Sequence, residues 1–128
     1  MLDMRPVGLR FMVVDDEIIV ALDLEYMLTD LGHQVVETAS RVDRAIEIAR
    51  HCDIDMAILD INVRGTLSFP IAEILRDRGV PVIFASGYGH KGLIAEFRDA
   101  HILTKPFGVD ALAQMVEKAC SDNNHPTG

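Results

Sequence analysis

The sequence predicts an α/β fold in which helices cover both faces of a parallel β-sheet. Five short apolar segments alternate along the chain with five longer segments that carry helical periodicity. The short segments have the length of buried strands, and strict alternation of strand and helix specifies a parallel sheet with right-handed crossovers. We therefore expect a doubly wound sheet of five strands.

Each predicted strand is a short apolar run bounded by polar or turn-forming residues. Runs of this length are typical of buried strands, whereas helices of globular proteins are usually longer. The predicted strands are residues 9–14, 34–38, 57–59, 80–85 and 100–104. The first is followed by Asp15 and the third by Asp60, so both strands deliver carboxylates to the same edge of the sheet.

The helices are predicted at residues 17–31, 42–51, 69–77, 91–98 and 109–119. Asp16 precedes the first helix and Ser68 the third, and both residue types are common N-caps. Gly32 and Gly79 follow the same two helices, where glycine is a common terminating residue. In the fifth helix, apolar residues recur every three or four positions, so one face should pack on the sheet.

The fourth predicted helix is the weakest of the five. Gly87, Gly89 and Gly92 lie close together in the sequence at its start. Each glycine in a helix costs about 1 kcal/mol relative to alanine. We therefore expect this helix to be short or partly disordered in the resting protein.

Length and charge limit the function. The 128 residues predict one domain, residues 1–128, with an ordered core at about 9–120. Twenty acidic residues against twelve basic ones give a net charge of -8, which argues against nucleic-acid binding. No segment approaches the roughly 20 apolar residues of a membrane span, and Cys52 and Cys120 lack metal or disulfide spacing. We expect a cytoplasmic protein without membrane contact that signals to a separate molecule, because no second periodic unit is present.

A doubly wound sheet binds its ligand at the carboxyl ends of its strands, so the residues that follow the strands are the candidate site. Four of the five predicted strands end in functional groups: Asp15-Asp16-Glu17, Asp60-Ile61-Asn62, Ser86-Gly87-Tyr88 and Lys105-Pro106. Taken singly, each group is explained equally well as a helix cap, a turn or a solvated bend. Their convergence on one edge favours a functional site.

The carboxylates at this edge predict a divalent cation. Asp15, Asp16 and Asp60 would repel one another unless a cation lies between them. Mg²⁺ prefers oxygen ligands and commonly uses one or two carboxylates together with water. We expect Asp16 and Asp60 as ligands, with Asp15 holding a metal-bound water. The main-chain carbonyl of Asn62 would be a further ligand, and Mn²⁺ would substitute for Mg²⁺.

The same edge carries the groups that phosphoryl transfer requires, a nucleophile and donors that neutralise the transferred oxygens. Asp60 supplies a carboxylate nucleophile and would become an aspartyl phosphate. The cation would take one phosphoryl oxygen and the ammonium of Lys105 a second. The hydroxyl of Ser86 and the backbone N–H groups after it would take the third. The residues therefore predict that Asp60 accepts a phosphoryl group.

Four ordered motifs resemble the receiver domain of two-component response regulators. They are Val13-Val14-Asp15-Asp16-Glu17, Ala57-Ile58-Leu59-Asp60-Ile61-Asn62, Val82-Ile83-Phe84-Ala85-Ser86-Gly87 and Thr104-Lys105-Pro106-Phe107. The resemblance covers nearly the whole chain and implies a flavodoxin-like fold with strand order 2-1-3-4-5. It also implies Mg²⁺ dependence, phosphorylation by a histidine kinase or histidine phosphotransfer protein, and a cis peptide bond between Lys105 and Pro106.

One position departs from the common pattern of that family. Its members commonly carry Tyr or Phe three residues before the lysine as a rotating switch, whereas this sequence has Ile102. The run Phe84-Ala85-Ser86-Gly87 instead resembles a receiver subgroup named for a Phe-Ala-Thr-Gly run, which lacks that aromatic residue. We expect the glycine-rich segment after Ser86 to respond to the phosphoryl group. Tyr88 is either the residue that moves or a ring on the rim of the site.

Three alternatives are compatible with these residues. A haloacid-dehalogenase-like phosphatase also forms an aspartyl phosphate, but its nucleophile lies in an Asp-x-Asp run that the pair Asp15-Asp16 does not match. A flavodoxin-like flavin carrier has the same architecture, but three carboxylates would repel the flavin phosphate. The third is a pseudo-receiver that binds partners without being phosphorylated. We expect a signalling domain rather than a metabolic enzyme.

Overall fold

The computed structural model describes residues 5–123, apart from the side chains of His90, Lys91 and Asn123. Its strands are β1 (Arg10–Val14), β2 (Gln34–Ala39), β3 (Met56–Asp60), β4 (Asn62–Val63), β5 (Thr66–Leu67), β6 (Val82–Ser86) and β7 (His101–Thr104). Five of them form a parallel sheet in the order β2-β1-β3-β6-β7, and β4 and β5 form a separate antiparallel hairpin. This order corresponds to 2-1-3-4-5, so the predicted fold class is confirmed.

Helices cover both faces of the sheet. They are α1 (Ile18–Asp30), α2 (Val42–His51), α3 (Phe69–Asp77) and α4 (Val109–Asn123). In β3, Ala57 and Leu59 pack toward α2 and α3, whereas Met56 and Ile58 pack toward α1 and α4. Alternate residues of a strand point to opposite faces, so the sheet is buried on both sides and polar groups collect at the strand ends. No helix within residues 5–123 has the length and apolar character needed to cross a bilayer.

The prediction of an α-helix at residues 91–98 is wrong. Two short 3₁₀ turns take its place, Gly89–Gly92 and Ala95–Phe97. Gly89 adopts a left-handed φ of 59°, which interrupts a right-handed helix. Phe97 anchors the segment, because its buried ring stacks on that of Phe69 with the centroids 5.5 Å apart.

Neither predicted N-cap residue caps its helix with a side-chain hydrogen bond. Glu17, rather than Asp16, occupies the N-cap position of α1, and no side chain caps that helix. Asp16 instead accepts a hydrogen bond from the backbone N–H of Arg64, with 3.0 Å between N and Oδ2. Ser68 does lie at the N-cap of α3, but its buried hydroxyl has no hydrogen-bond partner among residues 5–123. Tertiary contacts therefore override the local capping preference at Asp16.

Candidate functional site

Three aspartates converge at the carboxyl ends of the neighbouring strands β1 and β3. Asp15 and Asp16 follow β1, and Asp60 is the last residue of β3. One carboxylate oxygen from each residue lies within 4.8 Å of those of the other two. Asp15 is buried, whereas Asp16 and Asp60 are partly exposed, so the cluster is open to solvent on one side. This set of oxygen donors fits Mg²⁺, which prefers carboxylate ligands.

Lys105 supplies positive charge to the cluster. Its Nζ lies 3.1 Å from Oδ2 of Asp15 and 3.7 Å from Oδ1 of Asp60. Its backbone N–H donates to the carbonyl of Ser86 at 2.8 Å, which fixes the end of β7 beside β6. The peptide bond between Lys105 and Pro106 is cis, as the resemblance implied. Burial alone would lower the pKa of Lys105, but the hydrogen bond to Asp15 and the surrounding carboxylates outweigh it and raise that pKa.

Asp60 is the carboxylate with the most perturbed environment. Its pKa is raised from 3.8 to about 6, with burial as the largest cause and the charges of Asp15 and Asp16 contributing to the rise. The charge of Lys105 opposes this rise. Asp60 therefore remains largely ionised at neutral pH and can act as a nucleophile. The repulsion expected among the clustered carboxylates thus contributes to the raised pKa of Asp60, although burial is the larger cause.

Ser86 lies one residue beyond the position that pairs with Asp60. The register of β3 and β6 pairs Asp60 with Ala85, and Ser86 follows directly. Ser86 is buried, and its Oγ accepts a hydrogen bond from the backbone N–H of Tyr88 at 3.0 Å. A hydroxyl that accepts this bond still has its own proton to donate. The side chain of Tyr88 is 80% exposed, which fits a ring on the rim of the site.

Two other residues of the predicted site, Ile102 and Asn62, make contacts within the fold. Ile102 is buried in the apolar cluster between the sheet and α2 and α3, together with Phe84 and Phe97. Asn62 begins β4, and its side-chain Oδ1 accepts a hydrogen bond from Gly65 N–H at 2.8 Å. The Oδ1 of Asn62 is therefore used within the hairpin, which leaves its main-chain carbonyl as the candidate ligand.

The hairpin of β4 and β5 was not predicted from the sequence. Its two turn residues, Arg64 and Gly65, have φ values of 55° and 84°. Two consecutive residues with positive φ are typical of a two-residue hairpin turn, in which Asn-Gly or Asp-Gly is the usual pair. Arg-Gly lacks that signature, and the only signal was Gly65 between the β-branched residues Val63 and Thr66.

Comparison with known proteins identifies the class. The profile of the response regulator receiver domain matches residues 11–117. The chain therefore belongs to the response regulator receiver domain family. Receiver domains are signalling domains rather than metabolic enzymes, and this membership disfavours the phosphatase and flavin-carrier alternatives.

Individual relatives are moderately similar. The transcriptional regulatory protein PdtaR of Mycobacterium tuberculosis is 28% identical over 116 residues, which cover 88% of this chain and 57% of PdtaR. The structure of SdrG from Sphingomonas melonis Fr1 is 35% identical with a TM-score of 0.75, covering 91% of this chain and 96% of SdrG. SdrG has also been solved in a BeF3-activated conformation. PhyR from Brucella abortus is 31% identical with a TM-score of 0.80, covering 92% of this chain and 50% of PhyR.

Proposed function

We propose that this chain accepts a phosphoryl group on Asp60 from a histidine kinase or a histidine phosphotransfer protein. The phosphorylated form then signals through protein–protein contacts, and the aspartyl phosphate hydrolyses slowly. The observation that carries the proposal is the convergence of Asp15, Asp16 and Asp60 beside Lys105 at one sheet edge. The direct test is to present the protein with candidate phosphorylated donors and record which one transfers its phosphoryl group fastest.

Asp60, Lys105 and Ser86 would each have a different role in the transfer reaction. A carboxylate oxygen of Asp60 attacks the phosphorus of the donor phosphohistidine, the P–N bond breaks, and its electron pair returns to the donor imidazole. Lys105 is close enough to Asp60 to exchange its contact with the carboxylate for one with a phosphoryl oxygen. Ser86 would donate its hydroxyl proton to another phosphoryl oxygen.

The donor set would hold Mg²⁺ or Mn²⁺ through Asp16 and Asp60, with the main-chain carbonyl of Asn62 and, through water, Asp15. A divalent cation bound there supplies positive charge that offsets the phosphoryl oxygens. Lys105 alone balances only one of the three carboxylates. This imbalance supports a requirement for the cation.

An exposed apolar surface on α1 supports docking of a protein donor. The helix begins two residues after Asp16 and displays four large apolar side chains to solvent. We define this α1 surface by those residues: Ile18, Ile19, Leu22 and Tyr26, which are 73%, 74%, 46% and 74% exposed. Exposed apolar residues grouped in this way mark interaction sites. All charged residues of α1 are acidic, so the surface favours a donor whose contact face carries basic residues.

Replacing both Ile18 and Ile19 with Ser is expected to slow transfer from the protein donor about tenfold or more, because buried interface anchors each contribute over about 1 kcal/mol. Labelling by acetyl phosphate, which needs no docking surface, should be unchanged. Quench-flow transfer assays with both donors measure the difference. Val36→Ser, which alters an exposed apolar residue on β2, is the control and should behave as wild type. Equal slowing with both donors would place the effect in the site rather than in docking.

We propose that residues 87–97, the switch segment, respond to phosphorylation. The segment is joined to the site through the hydrogen bond from Tyr88 N–H to Ser86 Oγ. It consists of short turns and is held by the buried Phe97 and by an ion pair from Arg76 to Glu96 at 2.8 Å. Ile102 has no hydroxyl and no ring to rotate toward the site. Capture of a phosphoryl oxygen by Ser86 would therefore pull on Tyr88 and order the segment.

Beryllofluoride, which stands in for the phosphoryl group on Asp60, is expected to increase amide-exchange protection most between Tyr88 and Phe97. SdrG forms such a BeF3-activated state, which makes the experiment practicable for a related chain. Ser86→Ala is the matched control, because it should bind beryllofluoride but lose most of the added protection. A switch segment with the same exchange rates in both states would contradict this proposal.

A further inference from the structure

The hairpin of β4 and β5 connects two parts of the site that are distant in sequence. It follows β3 and Asp60, yet its tip contacts the carboxylate that follows β1. The backbone N–H of Arg64 donates to Oδ2 of Asp16 at 3.0 Å, across 48 residues of sequence. Asp16 has no other hydrogen bond or ion pair with the side chains and backbone that the structure describes.

The position of the tip is fixed at three points. Val63 is 1% exposed and packs in the core, and the N–H of Ser68 donates to the carbonyl of Ile61 at 2.9 Å, which closes the base of the hairpin. At the tip, Gly65 N–H donates to Oδ1 of Asn62. These contacts hold Arg64 at a φ of 55°, a left-handed value that is unfavourable for most residues with a Cβ atom.

The backbone of Arg64, rather than its side chain, makes the contact with the site. The guanidinium is exposed, and it forms no ion pair or hydrogen bond with the residues that the structure describes. The positive φ of Arg64 belongs to the tight hairpin turn that brings this amide to Asp16. A substitution at position 64 should therefore act through the conformation that it permits, and not through the charge that it removes.

We propose that Arg64 is a positioning residue whose backbone amide orients Asp16 for a divalent cation. The inference rests on the proposed function in one respect, because it takes Asp16 to be a metal ligand. Asp16 is partly exposed, and without the hydrogen bond its carboxylate would rotate freely. With Oδ2 held in this way, Oδ1 would remain available to bind a cation, and less conformational freedom would be lost on binding.

A matched pair of variants separates conformation from charge. Arg64→Gly and Arg64→Val both remove the guanidinium, but glycine adopts positive φ readily whereas a β-branched residue does not. We expect Arg64→Val to bind Mn²⁺ about tenfold more weakly than the wild type and Arg64→Gly to stay within about twofold of it. Arg64→Asn should bind Mn²⁺ more tightly than Arg64→Val does, with an affinity near that of the wild type, because asparagine tolerates the left-handed region. Mn²⁺ affinity is read from the electron paramagnetic resonance signal of the free ion, well below each variant's unfolding temperature.

A second measurement needs neither metal nor phosphorylation. In the metal-free protein the amide hydrogen of Arg64 should exchange slowly, and Asp16→Ala should speed its exchange without affecting Gly65, whose partner is Asn62. Equal Mn²⁺ affinity in Arg64→Gly and Arg64→Val would overturn the inference, and so would unchanged exchange in Asp16→Ala. A wild type that binds Mn²⁺ with these properties but is never phosphorylated would contradict the proposed function and leave the inference standing.

Discussion

Asp60→Asn is expected to abolish phosphoryl labelling of a protein that acetyl phosphate or a phosphorylated histidine kinase otherwise labels readily. An amide is not a nucleophile at neutral pH, so labelling should fall by at least about a hundredfold. Asp15 cannot take over the role, since it is 3% exposed and paired with Lys105. The label is measured with radioactive phosphate on denaturing gels and by intact mass.

The matched control for this variant is Asp53→Asn, which makes the same chemical change at an exposed position outside the site. It should be labelled as the wild type is. Acid-stable labelling that persists in Asp60→Asn would refute the assignment of the acceptor. A wild type that no donor labels, but that still binds partner proteins, would instead favour the pseudo-receiver alternative.

The parts of the site that the sequence predicts are those that depend only on strand ends. Apolar runs locate β1 and β3, and parallel strands in one sheet have their carboxyl ends at the same edge. Asp15 and Asp60 therefore lie close together regardless of the conformation of the loops. The position of the polar residue that follows each apolar run is therefore predictable without any tertiary information. The same reasoning places Ser86 and Lys105, which lie at the ends of β6 and β7.

Features that depend on contacts between distant residues were not predictable. The hydrogen bond between Arg64 and Asp16 joins two loops, and nothing in the local sequence of either indicates the other.

The buried face of α1 could not be predicted from the sequence for a different reason. Apolar residues lie almost all around this helix, and only Leu24 and Leu28 are buried, so periodicity does not identify the face that remains exposed. The α1 surface is visible only once the helix has been placed on the sheet.

Removing divalent cations is expected to suppress labelling by about a hundredfold or more, because an incoming phosphoryl group would meet three carboxylates, and the charge of Lys105 offsets only one of them. The measurement is labelling by acetyl phosphate in excess chelator, followed by titration with Mg²⁺ or Mn²⁺ to restore it. Asp16→Ala should need a cation concentration about tenfold higher or more, since it lacks one ligand. Asp77→Ala, an exposed aspartate at the end of α3, should titrate as the wild type does.

The pH dependence of this titration follows from Asp60. Its pKa without metal is raised to about 6, first by burial and then by Asp15 and Asp16. Protons therefore compete with the cation as the pH falls through about 6, and the concentration of Mg²⁺ needed for half-maximal labelling should rise there. Above that pH the carboxylate is already ionised, so the requirement should level off. Undiminished labelling in excess chelator, or a Mg²⁺ requirement that is the same at pH values below and above 6, would contradict the assignment of these three aspartates as the cation site.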